Sequence, residues 1–133
     1  MAATATGIRI RALRDDDLAA ALKLTQAVRW SHRAIDWELH FRVGRGYAAT
    51  EADGTLVGTI LWWPYGEHFG CVGLVIVDNA AQGRGIGRAL MDVVIADCGA
   101  RSLQLVATDA GLKLYHQCGF RRIGGIEQHQ GTP

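Results

Sequence analysis

Gln82-Gly83-Arg84-Gly85-Ile86-Gly87 stands between an apolar run, Leu74-Val75-Ile76-Val77, and a helix-patterned segment that ends near Cys98. Three glycines in five positions let the backbone come close to a ligand, and the helix start behind them leaves N–H groups without intrahelical partners. Such a loop is a site for an anion; the plainer alternative is a flexible turn that caps a helix. Two nucleotide loops are disfavoured by spacing. A Walker-type loop has four residues between its glycines and then Lys followed by Ser or Thr, whereas here Gly87 is followed by Arg88-Ala89. The dinucleotide pattern G-x-G-x-x-G fails in both frames, because Arg88 or Leu90 falls where the third glycine belongs. What is left is Q-x-x-G-x-G between a strand and a helix.

Working outward, Ile86, Ala89, Leu90, Val93 and Val94 recur at helical spacing, and Gly99 stops that helix. Ser102 to Ala107 reads as a strand, Asp109 as the cap of a short helix over Ala110 to Cys118, and Phe120 to Ile126 as a last strand. On the N-terminal side, Met1 to Gly7 is a loose terminus and Ile8 to Leu13 alternates apolar and basic residues as a half-buried strand does. Asp15-Asp16-Asp17 suits a helix N-terminus, with Leu18, Ala21, Leu22 and Val28 on one face behind it. Consecutive residues at a helix start point in different directions, which disfavours reading the three acids as a metal cluster. Trp30 to Val43 is a second helix-like stretch with Ile35, Trp37 and Phe41 as core contacts. Gly46 to Glu51 and Thr55 to Trp63 are strands joined at Ala52-Asp53-Gly54; Pro64 ends the second, and Phe69 to Val77 is the next. Trp62 and Trp63 face opposite sides of their strand, one toward the core and one free to line a pocket. The order β-α-α-β-β-β-α-β-α-β implies an α/β protein of the α+β type, a mixed sheet with helices on its faces.

With 133 residues, 49% of them apolar, the chain is long enough for one domain with a substantial core. Its 14 basic and 13 acidic side chains are scattered, so no patch argues for nucleic acid or a membrane surface. No apolar run reaches membrane-spanning length and no signal segment follows Met1, and the expectation is a soluble cytoplasmic protein. Cys71, Cys98 and Cys118 are odd in number and far apart, suggesting neither a disulfide framework nor a metal site; each reads as a small core residue rather than a nucleophile.

The glycine loop resembles the acetyl-CoA pyrophosphate loop of the Gcn5-related N-acetyltransferases, the GNAT superfamily. A second motif, Leu114-Tyr115-His116-Gln117-Cys118-Gly119-Phe120, is similar to the L-Y-x-x-x-G-F of the same family, and the order of elements matches its fold over nearly the whole chain. The resemblance implies that coenzyme A sets its pyrophosphate on the backbone of Gly83, Arg84, Gly85, Ile86, Gly87 and Arg88, with Gln82 bracing the loop. Arg84 and Arg88 would lie near the phosphates, either bonded to them or solvated. The pantetheine arm would run beside Val75, Ile76 and Val77, where a backbone N–H meets the thioester oxygen. Thr108 takes the place of the family's asparagine and would reach the coenzyme through its hydroxyl. Tyr115 matches the tyrosine that protonates the departing thiolate, which a phenol with a pKa near ~10 is able to do; packing alone is its other role. Glu67, His68, His32, Glu38 and Asp78 are all candidates for the general base, and the sequence does not choose among them.

The activity implied is transfer of an acetyl group from acetyl-CoA to a primary amine of a small molecule or amino-acid-like acceptor, without a metal. The alternative is a non-catalytic module that binds or senses coenzyme A. The family places two strands after its Gly-Phe, whereas thirteen residues follow Phe120; they suffice for one strand, or for two very short ones if Gly124-Gly125 makes a tight hairpin, and the expectation is that the last family strand is missing. The chain resembles the N-terminal half of bacterial proteins that carry two such domains in tandem. Either a homodimer partner or a second GNAT domain is therefore expected to cover the exposed C-terminal edge.

Overall fold

The computed structural model describes residues 7–129 and 131–132. The loose terminus expected over Met1 to Gly7 lies outside them apart from Gly7. Nine elements follow in order: β1 (Arg9–Ala12), α1 (Leu18–Ala27), α2 (Ala34–Val43), β2 (Arg45–Thr50), β3 (Leu56–Tyr65), β4 (Phe69–Val77), α3 (Ile86–Cys98), β5 (Ser102–Leu105) and α4 (Leu112–Gln117). The strands form one sheet in the order β1-β2-β3-β4-β5, antiparallel through β4 and parallel between β4 and β5. A parallel partner needs a crossover, and α3 supplies it.

Each face of the sheet carries its own core. On one side Ile10, Ala49, Ile60, Trp62 and Val72 pack with Ile86, Leu90, Met91 and Val94 of α3 and with Tyr115 of α4. On the other, Leu13, Ala48, Leu61, Leu74 and Ile76 pack with Ala21 and Leu24 of α1 and Trp37 of α2. Neighbours such as Ala48 and Ala49, or Ile60 and Leu61, divide between the faces as the two-residue period of a strand requires. Trp62 is the core member of the tryptophan pair; its indole N–H donates to Asp97 at 2.8 Å, and Arg45 and Arg101 lie over its ring. Trp63 is half-buried, donates to the His40 carbonyl at 3.1 Å, and lies against Gly44 and Gly73.

Several boundaries differ from the sequence expectation. β3 runs through Pro64 to Tyr65, pairing Pro64 with Gly70, because β2 ends opposite Trp62 and leaves one edge of β3 free where proline's missing N–H costs nothing. Ile35 is 62% exposed rather than in the core and shares an outer stripe of α2 with exposed Leu39 and Val43. α2 begins at Ala34 instead of Trp30, after an extended Arg33 whose backbone N–H donates to Asp36. The helix expected from Ala110 is preceded by a 3₁₀ turn over Asp109–Gly111 and starts at Leu112, and Thr108 rather than Asp109 occupies the capping position of that turn. The strand expected over Phe120 to Ile126 does not form: residues 120–129 carry no regular structure, and Ile123 and Ile126 are 85% and 70% exposed. With no neighbour to complete its ladder, such a segment has nothing to offset the cost of ordering it.

The acidic triplet forms a 3₁₀ turn into α1, and only its last member turns inward. Asp17 is nearly buried and accepts two hydrogen bonds from the Arg11 guanidinium, at 2.7 and 2.8 Å, and one from the Arg14 N–H at 2.7 Å. The Arg11 bond holds the Asp17 carboxyl below its ordinary value of 3.8. A lowered folded pKa contributes stability that is present above the unfolded value and lost as pH falls through the folded one. Asp17→Asn is therefore expected to lower the unfolding free energy by about 1–3 kcal/mol at pH 7. Denaturant unfolding of both proteins should show that gap closing as the pH falls below about 4.

Candidate active site

The site begins with a fault in β4. Thr59 pairs with Ile76 and Leu61 with Gly73, so one extra residue is accommodated on β4, and Leu74 takes a left-handed φ of 50°. In an unbroken strand Val72, Leu74 and Ile76 would share a face. Here Val72 joins the α3 core, while Leu74 and Ile76 join the core under α1 and α2. The bulge is held by a buried hydrogen bond from the Thr59 hydroxyl to the Leu74 carbonyl, 2.8 Å. β5 follows β4 only as far as the Val72–Leu105 pair, and beyond it the strands part. Val75 to Val77 thus keep β3 on one edge and have no strand on the other.

A cleft opens where the strands separate, lined by Val72, Gly73, Leu74, Val75, Leu105, Val106, Thr108 and Tyr115, and by Trp30 from the chain after α1. Three residues singled out from the sequence, Val75, Thr108 and Tyr115, meet there. Tyr115 is buried at 8% exposure, edge-on to Phe120, and burial pushes its phenol above the ordinary value of 10. Its proton is therefore firmly held at neutral pH. Ile76 points its side chain into the opposite core, so only its backbone is available to a ligand.

The glycine loop lies at the far end of the same strand. Gly83 and Gly85 both adopt left-handed conformations, φ 81° and 75°, and Gly85 immediately precedes α3. A Cβ on either would meet nothing within 4 Å, so it is the turn of the backbone that requires glycine there. The N–H groups at the first turn of α3, from Ile86 to Arg88, have no intrahelical acceptor. The Ile86 side chain is itself core. Gln82 donates to the Asn79 side chain at 3.1 Å and to the Val77 carbonyl at 3.4 Å, tying the loop back to the end of β4. Gly87 approaches α4 closely: a Cβ there would fall 3.1 Å from Leu114. Arg84 is paired with Glu51 at 2.6 Å, and Arg88 bonds Asp92 and the Gln117 carbonyl at 3.1 and 3.3 Å. Both guanidinium groups thus have protein partners.

Of the candidate bases, His32 is in ring contact with a residue that lines the cleft, Trp30. Glu67 and His68 are exposed in the turn before β4, roughly 20 Å along the strand from Val75. Asp78 accepts the Ala80 N–H at 3.0 Å as a cap. Glu38 is exposed on α2. His32 packs beside Trp30, with ring centroids 5.8 Å apart.

Trp30 was not legible as a cleft residue, and the turn that places it explains why. Arg29 takes a left-handed φ of 63°, with its N–H on the Gln26 carbonyl and the Trp30 N–H on the Thr25 carbonyl, the pattern that glycine usually completes at a helix end. No glycine marks it. The bulge did leave a signal: Gly73 inside a strand pattern is the kind of residue that marks one. Leu74 and Arg29 are the two non-glycine residues with positive φ among those described, and they flank the same cleft.

With that geometry in view, comparison with known proteins is decisive on the family. The acetyltransferase (GNAT) domain family matches residues 44–122. The chain belongs to the GNAT superfamily. It is 26% identical over 119 residues to the uncharacterized N-acetyltransferase YitH of Bacillus subtilis, a match that covers 88% of this chain and 42% of that relative. The chain thus spans less than half the length of that protein. Among solved structures, a GNAT-family acetyltransferase of Streptococcus pneumoniae superposes with a TM-score of 0.76 at 25% identity, covering 93% of this chain and 99% of that one. An acetyltransferase of Trypanosoma brucei does so at 0.74 and 21% identity, over 92% and 99%. A GNAT acetyltransferase of Staphylococcus aureus reaches 0.78 at 18% identity, over 88% and 86%.

The left-handed Arg29 carries a steric cost that glycine lacks. Arg29→Gly is expected to raise the unfolding free energy by about 0.5–1 kcal/mol, read as a higher midpoint in denaturant at unchanged slope.

Proposed function

We propose that the chain is a single GNAT domain over residues 1–133 that transfers the acetyl group of acetyl-CoA to a primary amine of a small molecule or amino-acid-like acceptor. The parting of β4 and β5 carries this proposal, because it leaves the Val75–Val77 edge bare between the glycine loop and Tyr115. The pyrophosphate fits the N–H groups from Gly83 to Arg88, with Gln82 bracing the loop; Arg84 and Arg88 reach it only by exchanging their present partners. The pantetheine amides fit the bare edge of Val75, Ile76 and Val77, and an N–H there faces the thioester oxygen. Thr108 offers a hydroxyl beside the arm, and Tyr115 gives the sulfur its proton. Acetyl-CoA supplies the activated acyl group; among the described residues no group of three or more His, Cys, Asp or Glu is placed to hold a metal ion. No helix of the described residues is long and apolar enough to cross a membrane, and a cytoplasmic location fits three free cysteines and a coenzyme A substrate.

Calorimetry with acetyl-CoA and thiol release against a panel of primary amines test this directly. Tyr115→Phe is expected to lower kcat about 100-fold while leaving acetyl-CoA affinity within a few-fold of the wild type. An unchanged rate at every pH would remove Tyr115 from its role as acid. One observation favours a second possibility, a module that binds coenzyme A without turnover: among the described residues Tyr115 is the only one with an ionisable side chain lining the cleft. Tight binding with no acetylation of any amine would establish it.

The C-terminal side carries a proposal of its own. Among the described residues β5 pairs with β4 alone, and a groove of about 1200 Å³ lies between its other edge, α4 and residues 119–126, with Tyr65, Phe69, Val106, Ile123 and Ile126 exposed around it. A second copy of this chain, or a second GNAT domain, covers that edge. Sedimentation should therefore return a mass above 14.4 kDa for the isolated chain. A monomer at all concentrations would leave the second domain as the cover.

A further inference from the structure

Among the described residues that line the cleft none is able to take a proton from an ammonium at neutral pH, since the Tyr115 phenol is held protonated. An acceptor amine enters as R–NH₃⁺ and must lose a proton before it attacks. A base beside the cleft would take that proton. We infer that His32 is that base, an inference that rests on the acetyltransferase function proposed above.

Three observations converge on this side chain. The first is placement. The left-handed Arg29 turns the chain out of α1 so that Trp30 lines the cleft, and His32, two residues on, packs its ring against Trp30 with centroids 5.8 Å apart. The second is an unused nitrogen. His32 Nδ1 is buried and makes no hydrogen bond to any described residue, and it is the one buried side-chain N or O atom among those described in that condition. A buried imidazole nitrogen normally has a partner, and one without calls for an explanation. The third is its surroundings. His40 of α2 lies 6.0 Å away, and Trp63 of β3 packs on the far side of His40 at 5.2 Å, so His32 and His40 lie in a row of aromatic rings running from the cleft to β3.

The charged neighbours decide the protonation state. Burial and His40 hold the His32 imidazole below its ordinary value of 6.5, and Asp36 pulls weakly the other way. The Asp36 carboxylate is occupied by the backbone and guanidinium of Arg33, at 2.8 and 3.1 Å, which limits its pull. His32 is therefore neutral at pH 7 and ready to accept. In the reaction one ammonium N–H bond breaks and its proton goes to His32, directly or through one water. The freed lone pair forms the C–N bond as the C–S bond of the thioester breaks, and Tyr115 gives the sulfur its proton. The second proton shed by the nitrogen restores Tyr115, and His32 returns its own to solvent. The sum is amide, free thiol and one released proton.

The pH dependence of thiol release tests the assignment. Wild-type kcat/KM is expected to rise with pH through the His32 titration, below 6.5, and to level off by pH 7. In His32→Gln the plateau rate should fall about 100-fold and that limb should disappear, with acetyl-CoA affinity unchanged by calorimetry. Glu38→Gln, on the exposed face of α2, should keep the wild-type profile. NMR titration of the imidazole in the wild type should return the same pKa as the kinetic limb. A His32→Gln enzyme with the wild-type rate and limb overturns the role of His32 and leaves the acetyltransferase function standing. A wild-type protein that does not bind acetyl-CoA, or binds it and acetylates nothing, overturns both.

Discussion

Beyond the Val72–Leu105 pair two parallel strands stop hydrogen bonding to each other, and the candidate site depends on that separation. The extra residue at Leu74 bends β4 and exchanges the faces of its side chains, so Val72 anchors to one core and Leu74 to the other. A strand pinned from both sides at consecutive alternate positions cannot slide back into register with β5. Its backbone donors and acceptors from Val75 onward are left for something that is not part of the sheet. The glycine loop extends the same strand, and Tyr115 faces it across the gap.

Strain concentrates where this gap is made. Leu74 and Arg29 both hold conformations that L-residues avoid, and each is steadied by a fully buried threonine. The Thr59 hydroxyl satisfies the Leu74 carbonyl, and the Thr25 carbonyl takes the Trp30 N–H that follows Arg29. Thr25 is fixed in turn, because its hydroxyl donates to the Leu22 carbonyl at 2.6 Å and accepts the Trp37 indole N–H at 3.3 Å. A chain of packed and bonded groups thus runs from the core under α1 and α2 to the cleft. Backbone strain of this kind persists only when its surroundings over-determine it.

Electrostatics at the loop works through the backbone first. Arg84 and Arg88 flank the glycines, yet both engage protein carboxylates at partly exposed positions. Ion pairs of that sort contribute at most about 1 kcal/mol, so an anion on the loop would have little to displace in recruiting either side chain. The N–H groups of Ile86 to Arg88 carry no such cost, because their partners were never inside the helix.

By itself the sequence determined the order of the elements as far as α4, the family and the loop. Gly83, Gly85 and Gly87 and the Leu114 to Phe120 motif are local, and local backbone requirements are written in residue type. The two-residue and helical periods placed the strands and α3 because each of those elements buries a face. Tertiary structure decided what depends on neighbours far away in the chain. Pro64 stayed in β3 because β2 had already ended; Ile35 stayed outside because Trp37 filled the core; the segment after Phe120 found no strand to pair with. Trp30 reached the cleft through a turn that carries arginine where glycine would have announced it. His32 stood out from the other candidate bases only when the fold carried Glu67 and His68 to the opposite end of β4, since distance along a strand is fixed by its rise and not by residue type.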